Sequence, residues 1–390
     1  MTERRLLPLL AAVLVPAALA FAVPAARAQV PPALVNPEYG FAFPSEFASP
    51  VNAASAGVAL ADRWLGISGF ENPAALVPKG LEISPVWQRV NRQDIAAQNR
   101  DYDQVIGYPE FAGARLSMPV ADWGLMAYAW RPVLRMEEFS YSTGPLALPA
   151  FRRQLTSQRE LRAGVAVSKG ISRARIGVSG EYVNRDDRYE TSEVSGDPTA
   201  GDRVIEMSGD GFGGTLGVSW EKDTDRPWGS WFGAAVRYGS EVLLDGTQVE
   251  PASVVPGDTT ATFSLARSAE WSGGVSGKVT LAPATRFVAG LSFRQGIDYG
   301  ANQPATGSGY GWSAGIDWKD DELPWGARFG VGQEGLADAV ESKAGLLSLG
   351  FTWISGDLAI DASILHRNMS REDFPHSSDD RAVLTVKLDF

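Results

Sequence analysis

The sequence predicts an all-β protein: a transmembrane, antiparallel, up-and-down β-barrel of about fourteen strands with an N-terminal plug, or hatch, in its lumen. Three observations carry this. Beyond about residue 80 the 390-residue chain is built from segments in which oily and polar residues alternate, the period at which strand side chains share a face. Tight turns alternate with longer polar loops between those segments, as in a barrel whose rims face different compartments. No stretch past the first thirty residues approaches the ~20 apolar residues of a spanning helix.

Composition narrows the function. The chain is acidic, with a net charge of −11, and its arginines are scattered, so it offers no basic stripe for nucleic acid. It has no cysteine, which removes disulfides and thiolate metal sites. A mean hydropathy of −0.10 is too polar for a helical membrane protein. The 42 Gly, 12 Trp, 10 Tyr and 17 Phe suit a large antiparallel β structure.

In chain order, residues 1–28 read as a secretory signal. Arg4 and Arg5 precede an apolar run, and Ala26-Arg27-Ala28 gives an A-x-A site with cleavage after Ala28. Pro8 and Pro16 interrupt the run and count against a retained anchor. Residues 29–80 do not alternate. Pro31, Pro32, Pro37, Pro44, Pro50, Pro73 and Pro78 preclude regular elements, while Phe41, Phe43, Phe47, Trp64 and Phe70 need something to pack on. A fourteen-strand barrel is wider than the ~8 strands that side chains alone fill, so its lumen is the place for this segment.

The barrel is expected over 81–390, with strands near 81–92, 110–119, 122–142, 154–169, 172–190, 203–222, 228–247, 260–282, 285–299, 307–319, 323–334, 341–354, 357–371 and 376–390. "LRAGVAVS" sets Leu161, Ala163, Val165 and Val167 against Arg162, Gly164, Ala166 and Ser168. "RFVAGLSFR" sets Phe287, Ala289, Leu291 and Phe293 against Arg286, Gly290, Ser292 and Arg294. Longer loops fall at 93–109, 143–153, 191–202 and 248–259. Trp123, Trp228, Trp231 and Trp325 follow tight turns, and Trp220, Trp318 and Trp353 precede them, so all seven gather at one rim, where indole favours a membrane boundary. The last strand, "DDRAVLTVKLDF", puts Ala382, Leu384, Val386, Leu388 and Phe390 on its oily face. With export, this places the chain in the bacterial outer membrane, in contact with its lipids.

The stretch "ASAGVALADRWLGISGFENPAALVPKGLEIS", with Gly57, Ala61 and Asp62 leading to Asn72-Pro73-Ala74, resembles the hatch of the FadL-type long-chain fatty-acid transporters. The resemblance implies a fourteen-strand barrel, a hatch gated at Asn72, Pro73 and Ala74, and a terminal Phe390 read by the barrel-assembly machinery. It also implies an inward kink in the third strand that opens the wall. That strand reads "WGLMAYAWRPVLRMEEF"; Pro132 cannot donate to a ladder and is the candidate break, or else lies above the membrane where pairing is loose. Family members capture ligand between long loops. Here 191–202 is short and polar, and only Leu146, Leu148 and Phe151 offer surface contacts for an apolar ligand.

Enzymatic chemistry has little to stand on. His366 and His376 are the only histidines, without a partner cluster for a metal, and neither a metal nor a cofactor is expected. Inward-facing Arg115, Arg162, Arg175, Arg237, Arg294 and Arg328, with Glu181, Asp317 and Asp361, are either paired charges that stiffen the wall and hold the plug or an anion-guiding path. The expected function is passive passage of a small hydrophobic or amphipathic ligand such as a long-chain fatty acid. The alternative is a barrel of the same ancestry that docks a secretion or surface-attachment system. A general porin is the third reading, opposed by the plug.

Overall fold

The computed structural model describes residues 71–78, 80–94, 104–106, 110–142, 151–194, 203–222, 229–250, 259–298, 307–320, 322–335, 343–370 and 377–390. A short 3-10 turn, Pro73–Ala75, precedes seventeen strand segments. They are β1 (Glu82–Asp94), β2 (Gln104–Ile106), β3 (Glu110–Val120), β4 (Trp123–Ser142), β5 (Phe151–Ile171), β6 (Ala174–Val194), β7 (Arg203–Lys222), β8 (Ser230–Gly239) and β9 (Val242–Glu250). There follow β10 (Thr259–Arg267), β11 (Glu270–Ala282), β12 (Thr285–Arg294), β13 (Gly309–Lys319), β14 (Trp325–Gly335), β15 (Lys343–Ser355), β16 (Leu358–Ser370) and β17 (Ser377–Asp389).

All pairings are antiparallel, and β1 pairs with β17 from Glu82 opposite Asp389 to Asp94 opposite Ser377, which closes the sheet. Three wall strands are each split in two. β2 and β3 both pair with β1; β8 and β9 both pair with β7; β10 continues as β11. The result is a closed barrel of fourteen strands. Beyond shifts of up to five residues at strand ends, such as β12 ending at Arg294 where 299 was expected, two features differ from the sequence reading. The expected loop 93–109 contains β2, whose three residues extend the β1 ladder. The unbroken segments expected at 228–247 and 260–282 are interrupted at 240–241 and 268–269.

The alternation has its physical reason in the burial pattern. On β6, Ile176, Val178 and Tyr182 point outward and are exposed, while Gly177, Ser179 and Glu181 are buried inward. Outward residues turn polar from Asn184 on, through Asp186 and Arg188. The nine residues Ala174 to Tyr182, at about 3.4 Å each and tilted about 40°, make an apolar band about 23 Å tall, matching the hydrocarbon layer that such barrels cross. On β7 the same band runs from Phe212 to Trp220. Leu291, at 61 % exposure, sits inside it on β12. Leu291→Arg is therefore expected to destabilise the lipid-embedded barrel by about 2–4 kcal/mol in denaturant titration, with the cost vanishing at outward positions above the band such as Ser208.

Four short turns, at 121–122, 172–173, 283–284 and 356–357, mark one end as the turn rim. Trp123, Trp220, Trp318, Trp325 and Trp353 face outward there, with Trp318 and Trp325 packed at 4.8 Å and Lys169 over the Trp123 ring at 4.8 Å. Trp231 departs from the expected girdle. It points into the lumen, 5.8 Å from both the Lys278 ammonium and the Arg286 guanidinium, and Phe232 takes the outward position beside it. Trp228 lies outside the described residues. Phe390 is 73 % exposed at the turn rim; its N–H donates to the Leu81 carbonyl at 2.9 Å, and Leu81 returns the bond at 3.3 Å.

Candidate functional site

The lumen holds the chemistry, and its lowest layer is the docked Asn72–Ala75 turn. Asn72 is an effective cap because its Oδ1 accepts the Ala74 N–H at 3.0 Å, and Pro73 fits the first position of a helical turn, where no N–H is needed. Asn72 Nδ2 also donates to the Val218 carbonyl on β7 at 3.1 Å. Ser219 Oγ donates to the Ala74 carbonyl at 3.1 Å and Ser168 Oγ to the Leu76 carbonyl at 2.6 Å. Close approach requires bare backbone on the wall. A Cβ on Gly217 would lie 2.0 Å from Asn72 Oδ1, and one on Gly177 2.2 Å from the Pro73 carbonyl carbon. Asn72, Pro73 and Ala74 are thus all buried against β6 and β7.

Above the turn, Leu76 packs with Met126, Tyr128, Trp130 and Ala166 in an apolar cluster on β4 and β5. Beside this cluster the wall is irregular. The β3–β4 ladder ends at Gly113 opposite Trp130, and past that point β4 is laddered to β5 among the described residues. The β4–β5 register itself slips between Trp130 and Val133, the step that contains Pro132. Gly113, at φ +157°, lets β3 close on Trp130; a Cβ there would lie 2.3 Å from the Ala129 carbonyl oxygen.

A charged network lies level with the upper part of this cluster, since Trp130 stands opposite Arg162, and Tyr128 opposite Gly164, the partner of Glu181. Arg162 bonds Glu160 at 2.6 Å and Glu181 at 3.2 Å; Arg237 and Tyr128 bring their own hydrogen bonds to Glu181 at 3.2 and 2.9 Å. Arg185 pairs with Asp187 at 3.0 Å and reaches Glu160 at 3.7 Å, and Arg294 pairs with Glu270 at 3.2 Å. Nearer the turn rim, on strands β11 to β16, Lys278 holds Asp317 at 2.7 Å, while Arg328 lies between Asp317 at 3.5 Å and Asp361 at 3.2 Å. Arg175 donates to Ser168 Oγ at 3.3 Å, and Arg115 is buried near Glu82, itself paired with Lys387 at 3.1 Å. A third layer, toward the loop rim, is apolar again: Ile205, Met207, Val242, Leu244, Phe263, Leu265 and Ile297.

The nine lumen charges singled out in the sequence therefore lie on the inward face, and seven of them, Arg162, Arg237, Arg294, Arg328, Glu181, Asp317 and Asp361, form ion pairs between strands. Glu160, Arg185, Arg267, Glu270 and Lys278 are equally central, and sequence reasoning missed them. The available signal was a charge on the wet face of a strand otherwise dry around it, as Glu160 is beside Leu161. Phe151 begins β5, opposite Ser142 and Val194, whereas Leu146 and Leu148 lie outside the described residues. His366 faces outward on β16 and bonds Asp380 at 2.6 Å; His376 lies outside the described residues.

No family model matches the chain, and no curated protein sequence matches it. Solved structures do. The Ralstonia pickettii toluene transporter TbuX superposes with a TM-score of 0.64 at 14% identity, over 90% of this chain and 100% of that one. The Pseudomonas putida toluene transporter TodX gives 0.58 at 12%, over 88% and 98%, and a Pseudomonas aeruginosa FadL homologue gives 0.58 at 13%, over 88% and 98%. The chain has the fold of the FadL-type barrels.

Proposed function

We propose that this barrel is an outer-membrane channel for the passive passage of small, uncharged hydrophobic molecules. The ligand rests in the Leu76–Met126–Tyr128–Trp130–Ala166 layer, movement of the Asn72–Ala75 turn admits it further, and the wall beside Pro132 gives it a sideways exit. The observation that carries the reading is the position of that apolar layer, directly above the docked turn and beside the point where the β3–β4 ladder stops. An apolar cluster of this kind, opened as the turn moves, binds apolar ligands by removing their surface from water. The toluene transporters among the structural neighbours support the same class. A fatty-acid carboxylate fits less well. Arg162, Arg237, Arg294, Arg328 and Lys278 already sit against protein carboxylates, so a ligand anion must displace one of them.

The test is binding to the purified full-length protein in detergent. An alkylbenzene is expected to bind saturably and a long-chain fatty acid about tenfold or more weakly, with Trp130→Ala lowering alkylbenzene affinity about tenfold through lost aromatic contact. Preference for the fatty acid would overturn the neutral-ligand assignment. Absence of any hydrophobic binding, with a protein partner copurifying, would favour the docking reading instead.

A further inference from the structure

We infer that the Glu160–Arg267 ion pair latches a hinged gate across the loop-side half of the lumen, distinct from the Asn72–Ala75 turn. Glu160 is on β5 and Arg267 on β10, with β6, β7 and β9 between them in the wall. Four inter-strand steps amount to roughly 19 Å of sheet. The two side chains nevertheless meet at 3.8 Å, both buried, so this pair spans the lumen instead of following the wall. Glu160 is held from its own side by Arg162 and Arg185, and Arg267 from its own side by Glu270 at 3.0 Å. The pair thus joins two halves of one charged septum.

The septum lies between the loop-side cluster and the Leu76, Met126 and Ala166 part of the lower one, with Tyr128 and Trp130 level with it. Asp187 stands opposite Met207 in the β6–β7 ladder, which puts the loop-side cluster above the latch, while Met126 and Leu76 lie below it. A hydrophobic molecule entering from the loop rim reaches the first cluster and meets a layer of buried charge. Passing such a layer intact would strip water and partners from ions, which is costly; moving the layer aside is the cheaper course.

The wall beside the latch is built to move. β8 and β9 are separated by Ser240–Glu241, and β10 and β11 by Ser268–Ala269. Gly239 opposes Glu270 and Val242 opposes Arg267, so the two interruptions face one another and the β9–β10 ribbon bends as a unit. Toward β7, residues 240–244 face only 209–212, a β-bulge. At both breaks a rotatable hydroxyl takes one of the two places of a ladder pair, while the same serine's N–H keeps the other, Ser240 donating to the Phe212 carbonyl at 2.7 Å and Ser268 to the Asp298 carbonyl at 2.8 Å. Ser240 Oγ accepts the Phe212 N–H at 2.9 Å, and Ser268 Oγ accepts the Asp298 N–H at 2.9 Å. Arg267 is the last residue of the ribbon before its hinge, where one ion pair has most purchase.

The experiment uses full-length protein in detergent micelles, carrying Met126→Cys as its single thiol. A small charged thiol reagent is expected to label this site about tenfold faster once Glu160→Gln or Arg267→Gln is added, since either releases the latch. Unchanged labelling rates in both, with the folded barrel retained on an unheated gel, would overturn the gate. Should the substitutions unfold the barrel, the second arm decides. A reducible bifunctional reagent joining Glu160→Cys to Arg267→Cys must stop alkylbenzene entry into proteoliposomes, and reduction must restore it; undiminished entry through the cross-linked protein sinks the proposal. Failure of the wild type to pass alkylbenzene would count against the channel reading, while labelling still judges the gate.

Discussion

Gly217→Val is expected to expel the Asn72–Ala75 turn from the wall while leaving the barrel closed. Even the first carbon of the new side chain would sit 2.0 Å from Asn72 Oδ1 and 3.1 Å from Pro73 Cδ, and neither the cap nor the proline ring has room to yield. Expulsion forfeits the Asn72–Val218, Ser219–Ala74 and Ser168–Leu76 hydrogen bonds. At about 1 kcal/mol each this is about 3 kcal/mol, or roughly a hundredfold in the docked population. The measurement is thiol labelling of Leu76→Cys, a fully buried position that caps the docked turn. Gly177→Val is expected to act alike, since its Cβ would meet Pro73 at 2.2 Å. Gly180→Val on the same strand, with nothing within 4 Å, leaves the rate unchanged. Equal rates in all three would mean that the turn is not held by these glycines.

The barrel was readable because lipid imposes a period on every strand: a slip of one residue would turn Leu161, Val165 and Ile176 inward and Arg162 and Glu181 into hydrocarbon. The Asn-Pro-Ala turn was readable for a local reason, since cap and proline act within three residues. What stayed hidden depends on strands far apart in sequence. Nothing near Arg267 announces that it meets Glu160, because the meeting arises from curvature of the wall between them. The breaks at 240–241 and 268–269 were equally silent: Ser240-Glu241 and Ser268-Ala269 contain neither glycine nor proline, and only the neighbouring N–H groups reveal that a hydroxyl has taken a ladder position. Trp231 illustrates the limit of rim statistics. It adjoins the turn rim in sequence like the other tryptophans, but its parity on β8 turns it toward Lys278.

Asp361→Leu should be the most damaging single change in the opposite half of the lumen. Asp361 has no exposed surface, receives Arg328 at 3.2 Å and accepts the Thr352 hydroxyl at 3.1 Å. Its loss takes from Arg328 the nearer of two buried carboxylates it pairs with, and the other, Asp317, is already bonded by Lys278. Breaking one side of a buried pair costs about 3–5 kcal/mol, whereas an exposed pair such as Arg188–Glu206 is worth about 0.2–1 kcal/mol. Denaturant unfolding in lipid measures both. The double variant Arg328→Leu with Asp361→Leu is expected to recover most of the loss, because it removes both charges and keeps the Lys278–Asp317 pair. A cost for Asp361→Leu no larger than that of the surface pair would mean that water screens this wall. The channel would then run past Asp361 instead of through the apolar layers on β4 and β5, and the uncharged-ligand assignment would lose its physical basis.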